Sequence, residues 1–245
     1  MKGILSHIND ATDFFFQQTD QSGADSIEEA MRSLSVKEKG VPLAEPTVGK
    51  ICAAKFSCDN NWYRARINKV LDEGSAIDVT FIDYGNGEVL KVDKLQQLAS
   101  GLDGYAPQAS SCTLAFITVP SIEDEYGYEA ASLFSELCSG VELRAKVEFT
   151  EKVDYSSKSK GKSSRKDGGK SKLHVTLFLP SGTNVNEQLV KEGYARVEKR
   201  RTARNYDAIE TMTPMQEQAK TMRMGMWEYG DIDDDDDRDF TPRRR

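Results

Sequence analysis

The sequence has few of the residues that build metal centres or disulfide frameworks. It contains four cysteines without a Cys-x-x-Cys pair and only two histidines, which lie far apart at positions 7 and 174. A zinc site is therefore not expected. We interpret the thiols as buried and reduced, as in a cytosolic or nuclear protein; they are Cys52, Cys58, Cys112 and Cys138.

Long hydrophobic runs are also missing. The apolar pair Ile4-Leu5 is interrupted at once by Ser6 and His7, so the N-terminus does not resemble a signal peptide. No run approaches the roughly 18 apolar residues that a membrane span needs. We expect a soluble protein without a membrane partner.

Charge of one sign does not dominate the chain. The chain has 33 lysines and arginines and 40 acidic residues, which gives it a formal net charge of −7. This excludes a protein that coats nucleic acid with its whole surface, although a local basic patch is compatible with it. Two charged runs stand apart from the core: residues 155–172 predict a flexible basic loop and residues 231–245 a disordered acidic tail.

Hydrophobic periodicity predicts a chain that is mainly β with helices, an α+β fold. The strands predicted outside the central segment are 4–8, 13–18, 111–119, 141–150 and 173–179, and residues 194–198 alternate again. The predicted helices are 24–37, 123–138, 185–192 and 205–224, the last with Pro214 as a candidate kink or boundary. These elements on either side of the centre look like one domain interrupted by another.

The central segment, residues 49–98, alternates with period two. Tight turns are predicted at Asp72-Glu73-Gly74 and at Gly85-Asn86-Gly87. Roughly four or five short strands without a long helix are typical of a small, strongly bent β-barrel.

Aromatic residues collect where these barrel strands meet loops. Phe56 closes the first strand, Tyr63 opens the second, Phe81 ends the third and Tyr84 follows in the turn. The end of one strand and the start of the next are neighbours in a meander, and the third strand runs in the direction of the first. The four rings can therefore surround one small volume, to which Asn86 adds an amide oxygen.

Such a volume suits a weakly hydrated cation, because the ring quadrupole attracts positive charge. Asp83 adds negative potential nearby, and Trp62 is a candidate supporting residue. A planar guanidinium fits between flat rings, and methylation keeps its charge while removing hydrogen-bond donors. From spacing alone, the alternative that these rings only fill a small barrel core is equally good.

These residues resemble the Tudor domain. The resemblance is carried by Phe56, Trp62-Tyr63-Arg64-Ala65-Arg66 and Phe81-Ile82-Asp83-Tyr84-Gly85-Asn86. The surrounding segments, including Leu189-Val190-Lys191-Glu192-Gly193 and Met226-Trp227-Glu228-Tyr229-Gly230-Asp231, are similar to the C-terminal extended Tudor region of the Tudor staphylococcal nuclease family.

The resemblance implies a Tudor-type β-barrel inserted into an incomplete staphylococcal-nuclease-like domain with an oligonucleotide-binding (OB) fold. The implied divisions are a first nuclease-like part with a linker helix at 1–46, the barrel at 47–100, a second nuclease-like part at 101–230 and the tail at 231–245. It also implies that the chain is the C-terminal part of a longer protein whose preceding nuclease-like repeats handle RNA.

The resemblance further implies a cage for symmetric dimethylarginine, made by Phe56, Tyr63, Phe81 and Tyr84, with Asn86 contacting the guanidinium. The implied partners are proteins with symmetrically dimethylated Arg-Gly-rich segments of Sm or Piwi type, bound by a monomer without a cofactor or metal. The implied setting is RNA silencing, splicing or transcriptional co-activation, in the cytoplasm and the nucleus.

The sequence departs from the family pattern at two places. The loop between Phe56 and Trp62 is one residue longer than usual, and Phe81 stands where the family often has tyrosine. Phe81 keeps a ring face but lacks a hydroxyl.

The residues do not favour catalysis. Staphylococcal-type nucleolysis uses clustered carboxylates that hold calcium beside arginines. Here Glu123-Asp124-Glu125 opens a predicted helix, and the acids from Asp233 to Asp237 lie in the predicted tail. We therefore expect no catalytic residue and a chain that is not an enzyme.

Nucleic-acid binding is the stronger alternative. The basic loop 158–172 and a cluster at residues 199–204 could meet phosphates in a salt-sensitive way. No aromatic residue is interleaved with these charges in the sequence, so base stacking is not indicated. The candidate contacts are Lys158, Lys160, Lys162, Arg165, Lys166, Lys199, Arg200, Arg201 and Arg204.

Overall fold

The structure of the protein is a computed structural model that describes residues 1–19, 25, 27–29, 31–32, 40–153 and 170–230. Part of the predicted helix 24–37, most of the basic loop 158–172 and the tail 231–245 lie outside the described residues. Five candidate RNA contacts therefore lie outside them too: Lys158, Lys160, Lys162, Arg165 and Lys166.

The described elements are mainly strands, which confirms the predicted α+β class. The strands are β1 (Lys2–Asp10), β2 (Asp13–Gln18), β3 (Ile51–Lys55), β4 (Trp62–Leu71), β5 (Ala76–Phe81), β6 (Gly87–Lys91), β7 (Leu95–Gln96), β8 (Ala109–Leu114), β9 (Ile117–Thr118), β10 (Leu143–Val153), β11 (Lys170–Phe178) and β12 (Arg196–Val197). The helices are α1 (Gly127–Cys138), α2 (Val185–Lys191) and α3 (Tyr206–Thr221). Residues 25, 27–29 and 31–32 are also helical.

The chain divides into two compact units. The described residues within 1–7, 14–112 and 150–173 form the first unit. Those within 8–13, 113–149 and 174–245 form the second. The domain limits predicted from the sequence, with a barrel at 47–100, stay a prediction.

The first unit contains a five-stranded antiparallel sheet in the order β6-β5-β4-β3-β7. Its interior is the alternating apolar face that the period-two pattern predicts. A register shift between Ile67 and Lys69 marks an irregularity in β4, of the kind that bends a strand. The buried core residues are Leu43, Cys52, Ala54, Ala65, Ile67, Ile77, Val79, Phe81, Leu90 and Leu95.

A second, closed barrel has the strand order β1-β10-β11-β8-β2. Two of its strands precede the five-stranded sheet in the sequence and three follow it. The five-stranded sheet is thus an insertion between β2 and β8. The predicted arrangement, in which one strand assembly is inserted into another, is confirmed.

Two predicted elements differ in the structure. The predicted strand 111–119 is divided into β8 and β9, because Phe116 between them adopts a left-handed φ of 66°. The predicted helix 123–138 begins only at Gly127, so the acids at 123–125 do not form its first turn. Instead, the Asp124 carboxylate accepts hydrogen bonds from the backbone N–H and the hydroxyl of Ser121.

The other helices follow their sequence signals. In α2, the Asn184 side chain caps the N-terminus by accepting from the N–H groups of Asn186 and Glu187, and Gly193 follows the helix with a φ of 76°. Helix α3 continues through Pro214 without ending there.

The cysteines are free, as expected, but not all are buried. Cys52, Cys112 and Cys138 are buried, whereas Cys58 is exposed in the loop that follows β3. The prediction of four buried thiols is therefore wrong for Cys58, because the longer 57–61 loop projects its residues into solvent.

Candidate binding site

Four aromatic rings meet at one rim of the five-stranded sheet. The ring centroids of Phe56 and Tyr63 are 6.4 Å apart, and those of Phe56 and Phe81 are 5.2 Å apart. Tyr63 lies 6.0 Å from Phe81 and 5.2 Å from Tyr84. Each of these pairs is edge-to-face, the arrangement that aromatic quadrupoles favour.

Strand register explains why the rings converge. Ala54 pairs with Tyr63 across β3 and β4, so Phe56, two residues after Ala54, extends from the same face. Ala65 pairs with Phe81 across β4 and β5, and Ala65 shares its face with Tyr63. We call Phe56, Tyr63, Phe81 and Tyr84 the ring cluster.

The ring cluster passes from core to surface. Phe81 is 1% exposed and belongs to the barrel core, whereas Tyr84 is 38% exposed. Phe56 and Tyr63 are half-buried and pack against that core. A flat ligand between two rings needs about 7 Å between their planes, twice a van der Waals contact. The observed spacings show that these rings now contact one another.

The turn that carries Tyr84 is fixed by its backbone. The N–H groups of Tyr84 and Gly85 both donate to the carbonyl of Phe81, at 3.2 and 2.7 Å. The Ser6 hydroxyl donates to the Tyr84 carbonyl at 2.7 Å. Gly85 has a φ of 100°, and a Cβ at this position would clash with the Phe15 ring. The backbone of the turn is therefore held while the Tyr84 side chain faces solvent.

The negative charge of Asp83 is paired in the structure. It is buried and receives two hydrogen bonds from Arg64, from Nε at 2.9 Å and from Nη2 at 2.5 Å. The Arg64 side chain is fully buried and also donates to the carbonyls of Leu102, Tyr105 and Ala106. Asp83 therefore adds its negative charge as one partner of a buried ion pair with Arg64.

Asp59 supplies the carboxylate that contacts a ring of the cluster. The Tyr63 hydroxyl donates to Asp59 Oδ2 at 2.6 Å. Asn61 donates to the same carboxylate from its backbone N–H at 2.9 Å and from its side-chain amide at 3.2 Å. Asn60 turns the loop with a φ of 60°. The longer 57–61 loop, which the sequence marks only as a departure, thus brings an exposed acid to the site.

Electrostatics keep this pair as a phenol and a carboxylate at neutral pH. Burial raises the pKa of Tyr63 to about 12, together with the hydrogen bond to Asp59 and its charge. Burial acts to raise the pKa of Asp59, but hydrogen bonds from Tyr63 and Asn61 outweigh it and bring that pKa below its ordinary value. The pKa of Tyr84 is raised by burial and then by the charges of Asp83, Glu28 and Asp59.

The remaining predicted site residues are Asn86 and Trp62. The Asn86 carbonyl accepts from the N–H of Phe81 at 2.9 Å, and its side chain is half-buried. Trp62 is buried and, one residue before Tyr63 on β4, has its side chain on the other face of the strand.

A groove of about 440 Å³ lies next to the two tyrosines of the ring cluster. Its apolar walls are Ile27, Met31 and Trp62, and its polar lining includes the buried Gln108. We call this space the tyrosine groove. Its full lining is Gln17, Ile27, Glu28, Met31, Arg32, Asn61, Trp62, Tyr63, Asp83, Tyr84 and Gln108.

The second unit carries a separate aromatic and basic cluster. The Arg204 guanidinium lies 4.9 Å from the Phe149 ring centroid, and His174 stacks on Phe149 at 4.0 Å and 17°. No aromatic residue is interleaved with the 199–204 charges in the sequence, but β10 and β11 bring these two rings to Arg204 from distant positions.

Buried Asn205 fixes the conformation of residues 200–204, which carry the arginines of this cluster. Its Oδ1 accepts from the backbone N–H of Thr202 at 2.6 Å, and its Nδ2 donates to the Arg200 carbonyl at 2.9 Å. Arg200, Arg201 and Arg204 are exposed.

The part of the chain that the structure describes contains no group of three or more His, Cys, Asp or Glu side chains arranged to hold a metal ion. Within those same residues, no helix is long and apolar enough to cross a membrane.

Two protein families match the chain. Residues 1–116 match the Tudor domain, and residues 107–229 match the staphylococcal nuclease homologue family. Among curated relatives, Ribonuclease TUDOR 1 of Arabidopsis thaliana is 32% identical over 257 residues, covering 100% of this chain and 25% of that protein. The chain thus spans about a quarter of the length of that relative.

Solved structures give the same assignment. The extended Tudor domain of Drosophila melanogaster Tudor-SN superposes with a TM-score of 0.75 and 27% identity, covering 92% of this chain and 97% of that one. The extended Tudor domain of human TDRD1, solved with a symmetrically dimethylated peptide, gives a TM-score of 0.63 and 28% identity, covering 81% and 90%.

Proposed function

Because the chain belongs to the staphylococcal nuclease homologue family and carries a Tudor domain, as in the extended Tudor region of Tudor-SN, we propose that it is a non-catalytic reader of symmetric dimethylarginine. In this proposal the ring cluster, with Asn86, holds the methylated guanidinium of an Arg-Gly-rich partner segment. The human TDRD1 domain, solved with a symmetrically dimethylated peptide, supports this choice of ligand.

The main observation behind the proposal is that four aromatic rings converge at one rim of the sheet. One of these rings is packed in the core and another is exposed. Phe81 is held by the barrel core, so it can form the floor. Tyr84 is the most exposed ring, on a turn whose backbone is fixed. In this proposal the exposed Tyr84 side chain rotates to admit the ligand while the barrel stays in place.

Electrostatics favour a cationic ligand at this position. Each ring contributes about 0.5–2 kcal/mol to a cation held over its face. Asp59 adds a carboxylate in contact with Tyr63. Since this sum gives only a weak complex once association costs are subtracted, contacts with the neighbouring residues of the partner must supply the rest.

The proposal is tested by titrating a peptide with one symmetric dimethylarginine, and its unmethylated twin, against matched variants. Tyr84→Ala should weaken methylated-peptide binding by at least tenfold and remove the preference for methylation. Tyr105→Ala is the control, because Tyr105 lies in the same unit and is also 38% exposed. Equal effects of the two substitutions would contradict the cage assignment.

The absence of catalysis in this chain is part of the proposal. The Arabidopsis relative is called a ribonuclease, but this chain spans only a quarter of it. Among the described residues, the acidic side chains do not assemble a metal cluster of the kind that nucleolysis uses. Incubation of the purified chain with RNA and calcium should therefore yield no cleavage above that of a buffer control.

A second candidate function is binding of single-stranded RNA by the second unit. The observation in its favour is the Arg204 guanidinium stacked on Phe149, beside the exposed Arg200 and Arg201. Flat cationic and aromatic groups stack on unpaired bases, and the neighbouring arginines meet phosphates.

Matched arginine variants test this second candidate. Arg204→Ala should weaken binding of a single-stranded RNA by about tenfold. Arg144→Ala should not, although Arg144 lies 4.1 Å over the Phe178 ring in the same unit. If both variants bind RNA like the parent protein, the Arg204 cluster is not an RNA site.

A further inference from the structure

The tyrosine groove contains a buried hydrogen-bond acceptor whose partner is missing among the described residues. Gln108 is 3% exposed, and its Oε1 has no hydrogen-bond partner there. Two of its other polar groups have partners: the backbone N–H donates to Asp83 at 3.1 Å, and Nε2 donates to the Ala106 carbonyl at 3.0 Å. These bonds fix the amide, so Oε1 cannot exchange places with Nε2 without losing one of them.

A buried acceptor without a partner is unfavourable, and such groups are uncommon in folded proteins. Gln108 lines the same groove as Tyr63 and Tyr84, the two tyrosines of the ring cluster. A ligand whose arginine enters the ring cluster would therefore place its neighbouring residues along the groove that Gln108 lines. Consecutive Cα atoms are about 3.8 Å apart, so only the first one or two residues beside the arginine are within reach.

The charged residues of the groove determine which kind of hydrogen-bond donor a ligand can place there. Glu28 forms an ion pair with Arg32 at 2.5 Å, and Asp83 is paired with Arg64. With these charges paired, the groove also has apolar walls such as Ile27 and Met31, and the buried Gln108 is part of its lining. A neutral N–H donor on an extended chain suits this setting better than a second charged side chain, because a charge would lose its hydration.

We propose that Gln108 is a specificity-determining residue, whose Oε1 accepts a hydrogen bond from the main-chain N–H of a residue adjacent to the methylated arginine. This inference rests on the proposed function. It assigns the tyrosine groove to the partner's backbone rather than to a second side chain. A glycine neighbour fits this role, since the absence of a Cβ lets its backbone approach closely. A proline at that position is rejected, because it has no N–H.

Peptides with single amide-to-ester replacements test the hydrogen bond directly. Each ester removes one main-chain N–H at a defined position beside the symmetric dimethylarginine. For the parent protein, the ester at one position should weaken binding by about three- to tenfold, as expected for one hydrogen bond, while esters elsewhere have smaller effects. Isothermal titration calorimetry at one salt concentration provides the affinities.

Two glutamine variants complete the experiment. Gln108→Met keeps the length of the side chain but removes the acceptor, so it should bind the all-amide peptide as weakly as the parent binds the critical ester. The same ester should then cause no further loss. Gln96→Met is the matched control, because Gln96 Oε1 is also buried and has no hydrogen-bond partner among the described residues, but Gln96 does not line the groove. The Gln96→Met variant should lose as much affinity as the parent when the critical amide of the peptide is replaced by an ester.

The results separate this inference from the proposed function. If no single ester weakens binding to the parent, or if the ester effect persists in Gln108→Met, the assignment of Gln108 is wrong even though methylation is read. If the parent does not distinguish methylated from unmethylated peptide, the proposed function itself is wrong. The ester scan on the parent protein tests the hydrogen bond even if Gln108→Met does not fold.

Discussion

Replacing Asp83 with alanine distinguishes a residue that stabilises the barrel from one that contacts the ligand. Asp83 lies between Ile82 and Tyr84 and accepts three hydrogen bonds, two from Arg64 and one from the backbone N–H of Gln108. Removing it leaves a fully buried guanidinium without its counter-charge. Losing one partner of a buried pair costs about 3–5 kcal/mol.

The lower end of this range is expected here. Arg64 keeps three carbonyl acceptors, on Leu102, Tyr105 and Ala106, after the carboxylate is lost. We therefore predict that Asp83→Ala lowers the free energy of unfolding of the first unit by about 3 kcal/mol. With a urea slope of about 1–3 kcal/mol per molar, the unfolding midpoint falls by at least 1 M.

Tryptophan fluorescence can follow the first unit alone. The chain has two tryptophans, Trp62 and Trp227. In a Trp227→Phe background, the buried Trp62 reports urea unfolding of the unit that contains Asp83. Asp93→Ala is the control: Asp93 is exposed, so the midpoint should change little. If Asp83→Ala keeps the parent midpoint but loses methylated-peptide binding, the reasoning is refuted and Asp83 acts on the ligand.

Three further predictions concern the surroundings of the ring cluster. Asp59→Ala should lower the pKa of Tyr63 from about 12 toward its ordinary value of 10. An NMR pH titration of the Tyr63 ring measures this pKa, and an unchanged value would contradict the hydrogen bond to Asp59. A thiol reagent should modify Cys58 quickly and the three buried cysteines only after unfolding, and a second fast thiol would disprove their burial. Gly85→Ala should destabilise the first unit by more than about 2 kcal/mol, because it combines a positive φ with a clash against Phe15, and a thermal midpoint equal to the parent's would contradict this.

Local patterns predicted the ring cluster because its members lie at strand ends. Phe56, Tyr63 and Phe81 follow the period-two faces of β3, β4 and β5, and antiparallel pairing then brings them to one rim. The insertion of one barrel into another was predictable for a related reason. Strand patterns of similar kind occur on both sides of a segment with its own turns.

Tertiary pairings could not be predicted from these patterns. The sequence shows that Asp83 is acidic, but not that it pairs with Arg64, 19 residues earlier. The role of Asp59 depends on the conformation of the 57–61 loop, with Asn60 at a left-handed φ. Arg204 meets Phe149 across 55 positions, because β10 and the loop before α3 come together only in the fold.

The central claim is that the ring cluster reads methylation of arginine. The most direct measurement is the ratio of dissociation constants for an unmethylated and a symmetrically dimethylated Arg-Gly peptide, at 50 and 500 mM salt. Aromatic contacts and a lower desolvation cost act at short range, so we predict a ratio of at least about fivefold that persists at high salt. A ratio near one, or a preference that disappears at high salt, would contradict the account.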